Sequence, residues 1–202
     1  MTPKLVLFDM DDVLCRYDWQ GFVDEFAALS GLSSTEVAAR VYASGFDARV
    51  DLGQFTPQAH MAQLSELLGF SLDADLWVAA RRRATHPWPD ALALARRVAG
   101  KAQVAVFTNN SLLLGARIAD IYPGLPGVFG ARIATSAGLG LAKPDPAAFA
   151  RCCAHFGAAP GETLFFDDRP ENAAGACAAG LAGHQFHSVA QMACICADAG
   201  LA

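Results

Sequence analysis

Short runs of consecutive apolar residues alternate along much of the chain with segments in which apolar residues recur every three or four positions. The short runs predict strands buried on both faces of a sheet, and the longer segments predict amphipathic helices. Strands are predicted at residues 5–8, 102–107, 131–134 and 163–166, with a weaker one at 184–186. Helices are predicted at 90–99, 111–120, 146–157 and 171–180, and another closes the chain. This alternation predicts a parallel sheet with helices on both faces.

Residues 18–86 show helical spacing almost throughout, and no convincing strand interrupts them. Helices are predicted around 22–29, from the cap signals Ser33-Ser-Thr-Glu36 to about 43, from Thr56-Pro57 to about 68, and from about 73 to 84. The predicted fold class is therefore α/β, with a Rossmann-like parallel sheet as the core and an inserted α-helical cap. The core domain would comprise residues 1–15 and 88–202, and the cap domain residues 16–87.

Polar and charged residues follow three of the predicted strands directly. The first strand is followed by Asp9, Asp11 and Asp12, the next by Thr108, Asn109 and Asn110, and a later one by Asp167 and Asp168. Lys143 lies just before a predicted helix. Because the carboxyl ends of parallel strands meet at one edge of a sheet, these side chains should lie together. Buried acids cost free energy unless a cation or a reaction needs them, so the pattern predicts an active site.

These residue types suit phosphoryl transfer with Mg²⁺. Magnesium prefers hard oxygen ligands such as carboxylates, and an aspartate can form a covalent phosphoryl intermediate while a second one moves protons. Thr108 and Lys143 can compensate charge on the phosphoryl group, which is most of what this reaction needs. Taken singly, Asp9, Asp167 and Thr108 could each cap a helix, and Lys143 could be an ordinary solvated lysine. The interpretation as an active site depends on all of these residues falling together at the strand ends.

Four segments carry a resemblance to the haloacid dehalogenase-like hydrolase superfamily over essentially the whole chain. They are Phe8-Asp9-Met-Asp11-Asp12-Val-Leu14, Phe107-Thr108-Asn109-Asn110, Lys143-Pro-Asp145 and Phe166-Asp167-Asp168. The position of the helical segment is similar to the cap of subfamily I. The fourth segment, continued by Arg169-Pro-Glu171-Asn172, resembles the branch of bacterial sugar-phosphate phosphatases that includes the phosphatase domain of soluble epoxide hydrolases.

The resemblance implies a role for each residue of the catalytic set. Asp9 would be the nucleophile and Asp11 the general acid and base. Thr108 and Asn109 would bind the phosphoryl group, and Lys143 would orient it. The implied reaction is hydrolysis of a phosphoric monoester by a phosphatase that acts on small phosphorylated metabolites, sugar phosphates among them.

The resemblance also implies a Mg²⁺ site. Its ligands would be Asp9, the backbone carbonyl of Asp11, and either Asp167 or Asp168. The sequence departs from the family pattern at Asp12, where glycine or asparagine is usual. We assign Asp12 no catalytic role, although a carboxylate there could alter the loop or the affinity for the metal.

Two rival reactions of this superfamily depend on residues that can be checked in the sequence. A haloacid dehalogenase lacks the second aspartate of the first segment, which is present here as Asp11. A phosphonoacetaldehyde hydrolase uses a lysine of the cap, and no lysine lies between Lys4 and Lys101. The presence of Asp11 argues against a haloacid dehalogenase, which stays an alternative. The absence of a lysine in the cap excludes a phosphonoacetaldehyde hydrolase.

Two further alternatives stay open. A sugar phosphomutase needs a histidine on the first cap segment, and residues 15–59 contain none. His60 and His86 lie outside that segment and are predicted to be surface or interface groups. A non-catalytic binding protein on the same fold is the other alternative, although such a protein would be expected to lose part of the catalytic set.

Substrate selection is predicted to come from the residues that follow the first segment. Arg16, Tyr17 and Trp19 are the first candidates, and their alternative role is packing at a hinge. Phe46 and Arg49, in an apparent turn between helices, are weaker candidates. The run Arg81-Arg82-Arg83 is predicted to be a solvated helix face.

Composition narrows the choice of partners and location. The chain has 202 residues, 53% of them hydrophobic, and its net charge of −5 argues against nucleic acid as a partner. No apolar stretch reaches the ~18 residues of a membrane helix, and the N-terminus does not resemble a signal peptide. We therefore expect a cytoplasmic protein, monomeric or homodimeric, whose partner is a small phosphorylated metabolite. The six cysteines lack zinc-type spacing and are expected to stay reduced.

Overall fold

The computed structural model describes residues 2–201 of the chain. Its strands are β1 (Leu5–Phe8), β2 (Cys15–Tyr17), β3 (Thr85–Pro87), β4 (Gln103–Thr108), β5 (Ile133–Thr135), β6 (Thr163–Asp167) and β7 (Ala182–Gln185). Five of them form one parallel sheet in the order β5-β4-β1-β6-β7. The predicted α/β class with a parallel, Rossmann-like sheet is confirmed.

Helices cover this sheet and fill the segment between β2 and β3. They are α1 (Trp19–Ser30), α2 (Ser34–Ala38), α3 (Phe46–Asp51), α4 (Pro57–Leu68), α5 (Ala74–Arg83), α6 (Pro89–Val98), α7 (Leu112–Ala116), α8 (Ile118–Ile121), α9 (Pro126–Phe129), α10 (Ser136–Leu139), α11 (Pro146–His155), α12 (Pro170–Ala178) and α13 (Val189–Asp198). A π-helical turn (Ala39–Ala43) extends α2, and a 3₁₀ turn (Pro160–Glu162) precedes β6. None of the helices among residues 2–201 is long and apolar enough to cross a membrane.

Strand β1 lies at the centre of the sheet and is buried on both faces. Leu5 and Leu7 point to one side, where they join a cluster with side chains of α11 and α12. Val6 and Phe8 point to the other side, where they join side chains of α6, α9 and α13. Because both faces must be apolar, the strand has no polar alternation and appears in the sequence as an unbroken apolar run.

The helices α1–α5, residues 19–83, form what we call the helical insert. Their start signals work as predicted: Ser33 and Glu36 form a capping box at α2, and Thr56 caps α4 with Pro57 in the first turn. The insert has its own apolar interior, in which Phe22 contacts both Phe26 and Trp77 edge-to-face. The insert thus packs as a helical layer above the carboxyl edge of the sheet.

Strands β2 and β3 were not predicted, because each has only three residues. They pair antiparallel with Arg16 opposite His86, and we call this pair the ribbon. The ribbon joins the two points at which the chain leaves the sheet for the insert and returns. Both predicted domain boundaries, at residues 15–16 and 87–88, fall in it, and the division into two domains stays a prediction.

Two other local predictions were wrong. The expected turn at Phe46 and Arg49 is the helix α3, which Phe46 and Val50 anchor with buried side chains. Glycines at 45 and 53, both with positive φ, bound this short helix and gave its sequence the character of a turn. The single helix predicted over 111–120 is broken into α7 and α8 at Arg117, whose φ of −116° is not helical.

Candidate active site

The carboxyl ends of β1, β4 and β6 bring the predicted residues to one edge of the sheet. Asp9 directly follows β1, while Thr108 and Asp167 end β4 and β6. One carboxylate oxygen from each of Asp9, Asp167 and Asp168 lies within 4.8 Å of the others. The parallel topology therefore assembles a carboxylate cluster from segments more than 150 residues apart in the sequence.

Lys143 lies inside this cluster. Its Nζ is 2.9 Å from Asp9 Oδ1 and 2.5 Å from Asp167 Oδ2, and the residue is only 4% exposed. Burial opposes the charged ammonium, but the neighbouring carboxylates Asp9 and Asp167 outweigh it and raise the pKa of Lys143 above its ordinary value. Lys143 is therefore a permanent positive charge beside Asp9.

The loop that carries Lys143 is held by Asn109. The Asn109 side chain donates from Nδ2 to the Lys143 carbonyl (2.8 Å) and accepts at Oδ1 from the Lys143 backbone N–H (3.0 Å). Asn109 was predicted to bind the phosphoryl group; its side chain fixes the loop of Lys143, and the contact with a phosphoryl group stays a prediction. Thr108 accepts a hydrogen bond from Asn110 Nδ2 at 2.8 Å, which orients its buried hydroxyl.

The adjacent acids Asp167 and Asp168 have different surroundings. Asp167 Oδ1 accepts from the Arg169 N–H and from Asn172 Nδ2, and its Oδ2 accepts from Lys143. No hydrogen bond joins the Asp168 carboxylate to another of the described residues, and burial, then the charge of Asp167, raises its pKa to about 6. Asp167 is thus committed to holding Lys143, while Asp168 is left to face a ligand.

The cluster fits a hard divalent cation. Three carboxylates meet a single ammonium, which leaves an excess of negative charge in a buried place. Burial raises the pKa of Asp9 well above its ordinary value, and Lys143 only partly opposes this. A divalent cation with a preference for carboxylate oxygens would offset that cost, and Mg²⁺ has this preference.

Asp12 has a backbone conformation that explains why glycine or asparagine is usual at this position in the family that the sequence resembles. Its φ of +57° lies in the left-handed region, which a residue with a side chain adopts at a cost. Its Oδ1 accepts a hydrogen bond from the Tyr17 backbone N–H at 3.1 Å, which offsets part of that cost and ties the loop after β1 to β2. Asp12 therefore acts on the conformation of the loop.

Arg81 is the largest departure from the sequence-based expectation. It was predicted to be a solvated residue, but it is 2% exposed and its Nη2 lies 2.6 Å from both carboxylate oxygens of Asp11. Its guanidinium also stacks on the Tyr17 ring, 3.7 Å from the centroid, and donates to Thr85 Oγ1. Its neighbours in the run, Arg82 and Arg83, are exposed as predicted. Arg81 thus links the helical insert to the predicted general acid and base.

A cavity of about 210 Å³ lies between the insert and the sheet edge, next to Asp11. Of the predicted specificity residues, Tyr17 and Trp19 line it, whereas Arg16 is exposed and lies outside its wall. Phe46 and Arg49 also lie outside the wall, Phe46 in the interior of the insert and Arg49 over the Phe55 ring.

Three further residues of the insert line the cavity and were not predicted to do so. His60, expected at the surface, is 6% exposed, its Nδ1 has no hydrogen-bond partner, and burial lowers its pKa to about 4. Asp47 and Asp51 face the same cavity from α3. Burial raises the pKa of Asp47 to about 6, and burial together with the charge of Asp47 raises that of Asp51 to about 8. The i, i+4 spacing of Asp47 and Asp51, which places both on one face of α3, was the only sign in the sequence that they line a common site.

Replacing Asp51 with asparagine is expected to stabilise the protein at pH 8 but not at pH 4. Between its ordinary pKa of 3.8 and its folded pKa of about 8, the folded protein binds a proton that the unfolded chain releases. Raising the pH through this window therefore weakens the native protein, and asparagine removes the loss. We expect a gain of about 0.5–2 kcal/mol at pH 8, measured by urea unfolding at both pH values. The exposed Asp198→Asn is the control, and an equal effect of both variants would contradict the assignment.

Gly175 fixes the distance between α12 and the loop of Lys143. A Cβ at this position would overlap the Pro144 carbonyl oxygen and lie 3.1 Å from the Phe149 ring. Gly175→Ala is therefore expected to displace the loop, costing about 1–3 kcal/mol of stability and lowering kcat. Thermal unfolding and turnover measure the two effects. The matched control is Gly127→Ala, where an added Cβ meets no atom within 4 Å, and similar losses in both variants would refute the packing argument.

Comparison with known proteins gives two findings at the level of sequence. A family model described as haloacid dehalogenase-like hydrolase matches residues 3–180. A protein of Mycobacterium tuberculosis (strain CDC 1551 / Oshkosh) named Phosphatase MT3486 is 31% identical over 189 residues, which cover 90% of this chain and 86% of that protein.

Comparison with solved structures gives further matches. The HAD family enzyme bt-2542 of Bacteroides thetaiotaomicron, crystallised with magnesium and inorganic phosphate, superposes with a TM-score of 0.79 at 20% identity, covering 92% of this chain and 94% of that one. An L-2-haloacid dehalogenase of Xanthobacter autotrophicus with covalently bound chloropropionic acid gives 0.64 at 21% identity, covering 99% and 84%. At these identities the matches establish a shared fold.

Proposed function

The chain belongs to the haloacid dehalogenase-like hydrolases, and we propose that it is a Mg²⁺-dependent phosphatase of small phosphorylated metabolites. The observation that carries the proposal is the meeting of Asp9 with Lys143 and the carboxylate of Asp168 at the carboxyl edge of the sheet. A nucleophile, a fixed positive charge and a free carboxylate are the parts that phosphoryl transfer requires. The similarity to the mycobacterial phosphatase and the magnesium bound to bt-2542 support the same activity.

The metal would be held by Asp9 and Asp168, with the backbone carbonyl of Asp11 as the further ligand that the family resemblance implies. Asp167 accepts three hydrogen bonds, one of them from Lys143, whereas the Asp168 carboxylate accepts none from another described residue, which favours Asp168 as the direct ligand. The role of Asp167 is to position Lys143. Bound Mg²⁺ would supply positive charge next to the phosphoryl oxygens.

The first chemical step is attack of an Asp9 carboxylate oxygen on phosphorus. The bond between phosphorus and the alcohol oxygen breaks, and Asp11 donates a proton to that departing oxygen. The hydroxyl of Thr108 and the ammonium of Lys143 bind the non-reacting phosphoryl oxygens as charge shifts onto them. The product of this step is an alcohol and a phosphorylated Asp9.

The second step returns the enzyme to its starting state. Asp11, now a carboxylate, takes a proton from a water molecule that attacks the phosphorus. The bond between phosphorus and Asp9 breaks, and inorganic phosphate leaves. The same residue thus acts as an acid in one step and as a base in the other.

The contact between Arg81 and Asp11 has to loosen during this cycle. Arg81 binds both oxygens of Asp11, so neither is available to the departing oxygen in the closed arrangement. Arg81 belongs to α5 of the helical insert, and a small movement of the insert would release Asp11 when substrate enters. We therefore assign Arg81 as a positioning residue for the acid and base.

The rival reactions have less support. The phosphomutase alternative needs a histidine that carries a proton, and a pKa near 4 keeps His60 neutral at physiological pH. A dehalogenase has no use for Asp11 or for the carboxylate cluster that Asp168 completes. Measurement of phosphate release decides between a phosphatase and a non-catalytic binding protein.

The proposal is tested by phosphate release from a panel of phosphorylated metabolites, including sugar phosphates, and a generic aryl phosphate with Mg²⁺. Turnover that depends on Asp9 would support the phosphatase and rank the substrates. No release from any member would reject the proposal and favour the mutase or the binding protein.

Removal of the metal is expected to stop turnover. Without a cation the excess charge around Asp9 resists the approach of an anionic phosphate. EDTA should lower phosphate release by at least about 100-fold, and Mg²⁺ added in excess should restore it. The control is an equal concentration of EDTA already saturated with Mg²⁺. Full activity in free EDTA would remove the metal from the proposal.

A further inference from the structure

The cavity between the insert and the sheet edge has the size and place of a site for the alcohol part of a substrate. Asp11 and Asn110 line its floor, and Asp11 lies two residues from Asp9. Its volume of about 210 Å³ is below the ~300–1,000 Å³ of pockets that hold drug-sized ligands. It suits an alcohol with only a few carbon atoms.

The cation in the cavity wall is already neutralised. Arg81 is bound through Nη2 to both oxygens of Asp11, and its Nη1 donates to Thr85. The floor residues are also paired, since Asn110 Nδ2 donates to Thr108 and lies 3.3 Å from Asp11 Oδ2. Arg81, Asp11 and Asn110 are thus paired with one another or with neighbouring side chains.

Asp47, Asp51 and His60 line the same cavity, and within the described part of the chain their acceptor atoms lack hydrogen-bond partners. Within residues 2–201, neither the Asp47 nor the Asp51 carboxylate forms a hydrogen bond or an ion pair. His60 is more than nine-tenths buried, lines the cavity, and has an unpartnered Nδ1. Unpaired acceptors that are buried or partly buried are costly, so their presence together in one cavity indicates a ligand that donates hydrogen bonds and carries positive charge.

The rest of the lining is mainly aromatic, with four aliphatic side chains. Six aromatic side chains enclose the cavity: Tyr17, Trp19, Phe22, Phe26, Tyr42 and Trp77. Aromatic faces attract cations and tolerate the methylene groups that carry them. A primary ammonium supplies three hydrogen-bond donors and one positive charge, which matches two carboxylates and one imidazole nitrogen. A sugar hydroxyl would supply donors but no charge.

We propose that this cavity binds the ammonium end of a small phosphorylated amino alcohol, with Asp47 and Asp51 as its counter-charges and His60 as a further acceptor. The inference rests on the proposed phosphatase activity and specifies its substrate class. The phosphate of such a molecule would lie at Asp9 and Lys143, and a short carbon chain would cross the floor beside Asp11. The raised pKa values of Asp47 and Asp51 agree with carboxylates that lack the cation they are placed to bind.

The test compares matched esters in the full-length enzyme with Mg²⁺. Aminoalkyl phosphates of two to four carbons are each paired with the hydroxyalkyl phosphate of the same length, and an aryl phosphate reports general phosphatase activity. We expect kcat/KM to favour the ammonium member of at least one pair by about tenfold or more. Equal rates, or a preference for the hydroxyl members, would overturn the amine assignment while leaving the phosphatase intact.

Variants locate the preference in the cavity. In Asp47→Asn/Asp51→Asn the ratio of kcat/KM within the favoured pair should fall close to one, because the counter-charges are gone. The control is Asp75→Asn on α5, whose carboxylate is exposed and pairs with Arg117 outside the cavity, and its ratio should match that of the native enzyme. A preference that survives the double variant would place ammonium recognition elsewhere and refute the proposal.

Calorimetry tests the ammonium site independently of the phosphatase activity. If no ester is hydrolysed, the phosphatase fails, and the cavity is tested by titrating the free amino alcohols against diols of equal length. Binding of the amino alcohols alone, weakened in the double variant, would uphold the site. No binding of either series would overturn it.

Discussion

Replacing Asp9 with asparagine is expected to abolish phosphate release while leaving the fold intact. An amide cannot attack phosphorus, so kcat should fall by at least about 10⁴-fold, as it does when a covalent nucleophile is lost. The fold should tolerate the change because burial already favours a neutral group at this position and Lys143 keeps its contact with Asp167. We expect the free energy of unfolding to change by less than about 1 kcal/mol.

Two measurements test the prediction for Asp9→Asn, one of turnover and one of stability. Phosphate release is followed with the best substrate of the panel, and urea unfolding is followed on the same preparation. Asp198→Asn, an exposed aspartate at the end of α13, should leave both quantities unchanged. Turnover of Asp9→Asn within 100-fold of the native rate would eliminate the covalent mechanism.

Replacing Lys143 with methionine is expected to have the largest effect on stability. Methionine fills a similar volume but removes the charge that lies between Asp9 and Asp167. Two buried carboxylates would then face each other without compensation, and breaking a buried ion pair in this way costs about 3–5 kcal/mol. Turnover should fall by at least about 100-fold, because the positive charge beside the phosphoryl group is also lost.

The chain offers a matched control for this variant. Lys4 also forms an ion pair, with Nζ 2.7 Å from Glu162 Oε1, but its side chain is 71% exposed. Lys4→Met should therefore cost no more than about 1 kcal/mol and leave turnover unchanged. Mg²⁺ should recover part of the stability of Lys143→Met by occupying the same carboxylates. A small loss in Lys143→Met, comparable with that of Lys4→Met, would refute the account of the cluster.

The strand ends could be predicted from sequence because each signal there is local. An apolar run followed at once by Asp9 or by Asp167 fixes both the strand and the position of the acid at its carboxyl end. Parallel topology then brings these positions together without further information. The sheet and the carboxylate cluster were therefore within reach of the residues alone.

The lining of the cavity could not be predicted in this way. Arg81, Arg82 and Arg83 have the same local sequence, and only the rotation of about 100° per residue along α5 decides which one is buried. The partner of Arg81 is Asp11, 70 positions away, and nothing near either residue indicates the other. The prediction that His60 lies at the surface was wrong for the same reason, because its burial depends on how three helices pack.

Asn109 shows a different limit of prediction from the sequence. Its place after β4 was predicted, but its partner, the backbone of Lys143, belongs to a loop whose path is not encoded in any periodic pattern. A residue can thus be placed correctly from the sequence while one of its contacts is missed. The distinction between Asp167 and Asp168 is of this kind too, since only the hydrogen bonds separate the two.

The ribbon gives the chain a modular construction. Because Arg16 pairs with His86 and Tyr17 with Thr85, the helical insert begins and ends at neighbouring points, as an excursion from a hairpin does. Because the two connections to the sheet lie side by side, a different set of helices could replace residues 19–83 without moving Asp9 or Lys143, provided that it supplied a partner for Asp11 in place of Arg81. In this architecture new specificities can therefore arise by replacing one segment, as long as the new segment keeps a contact with the acid and base.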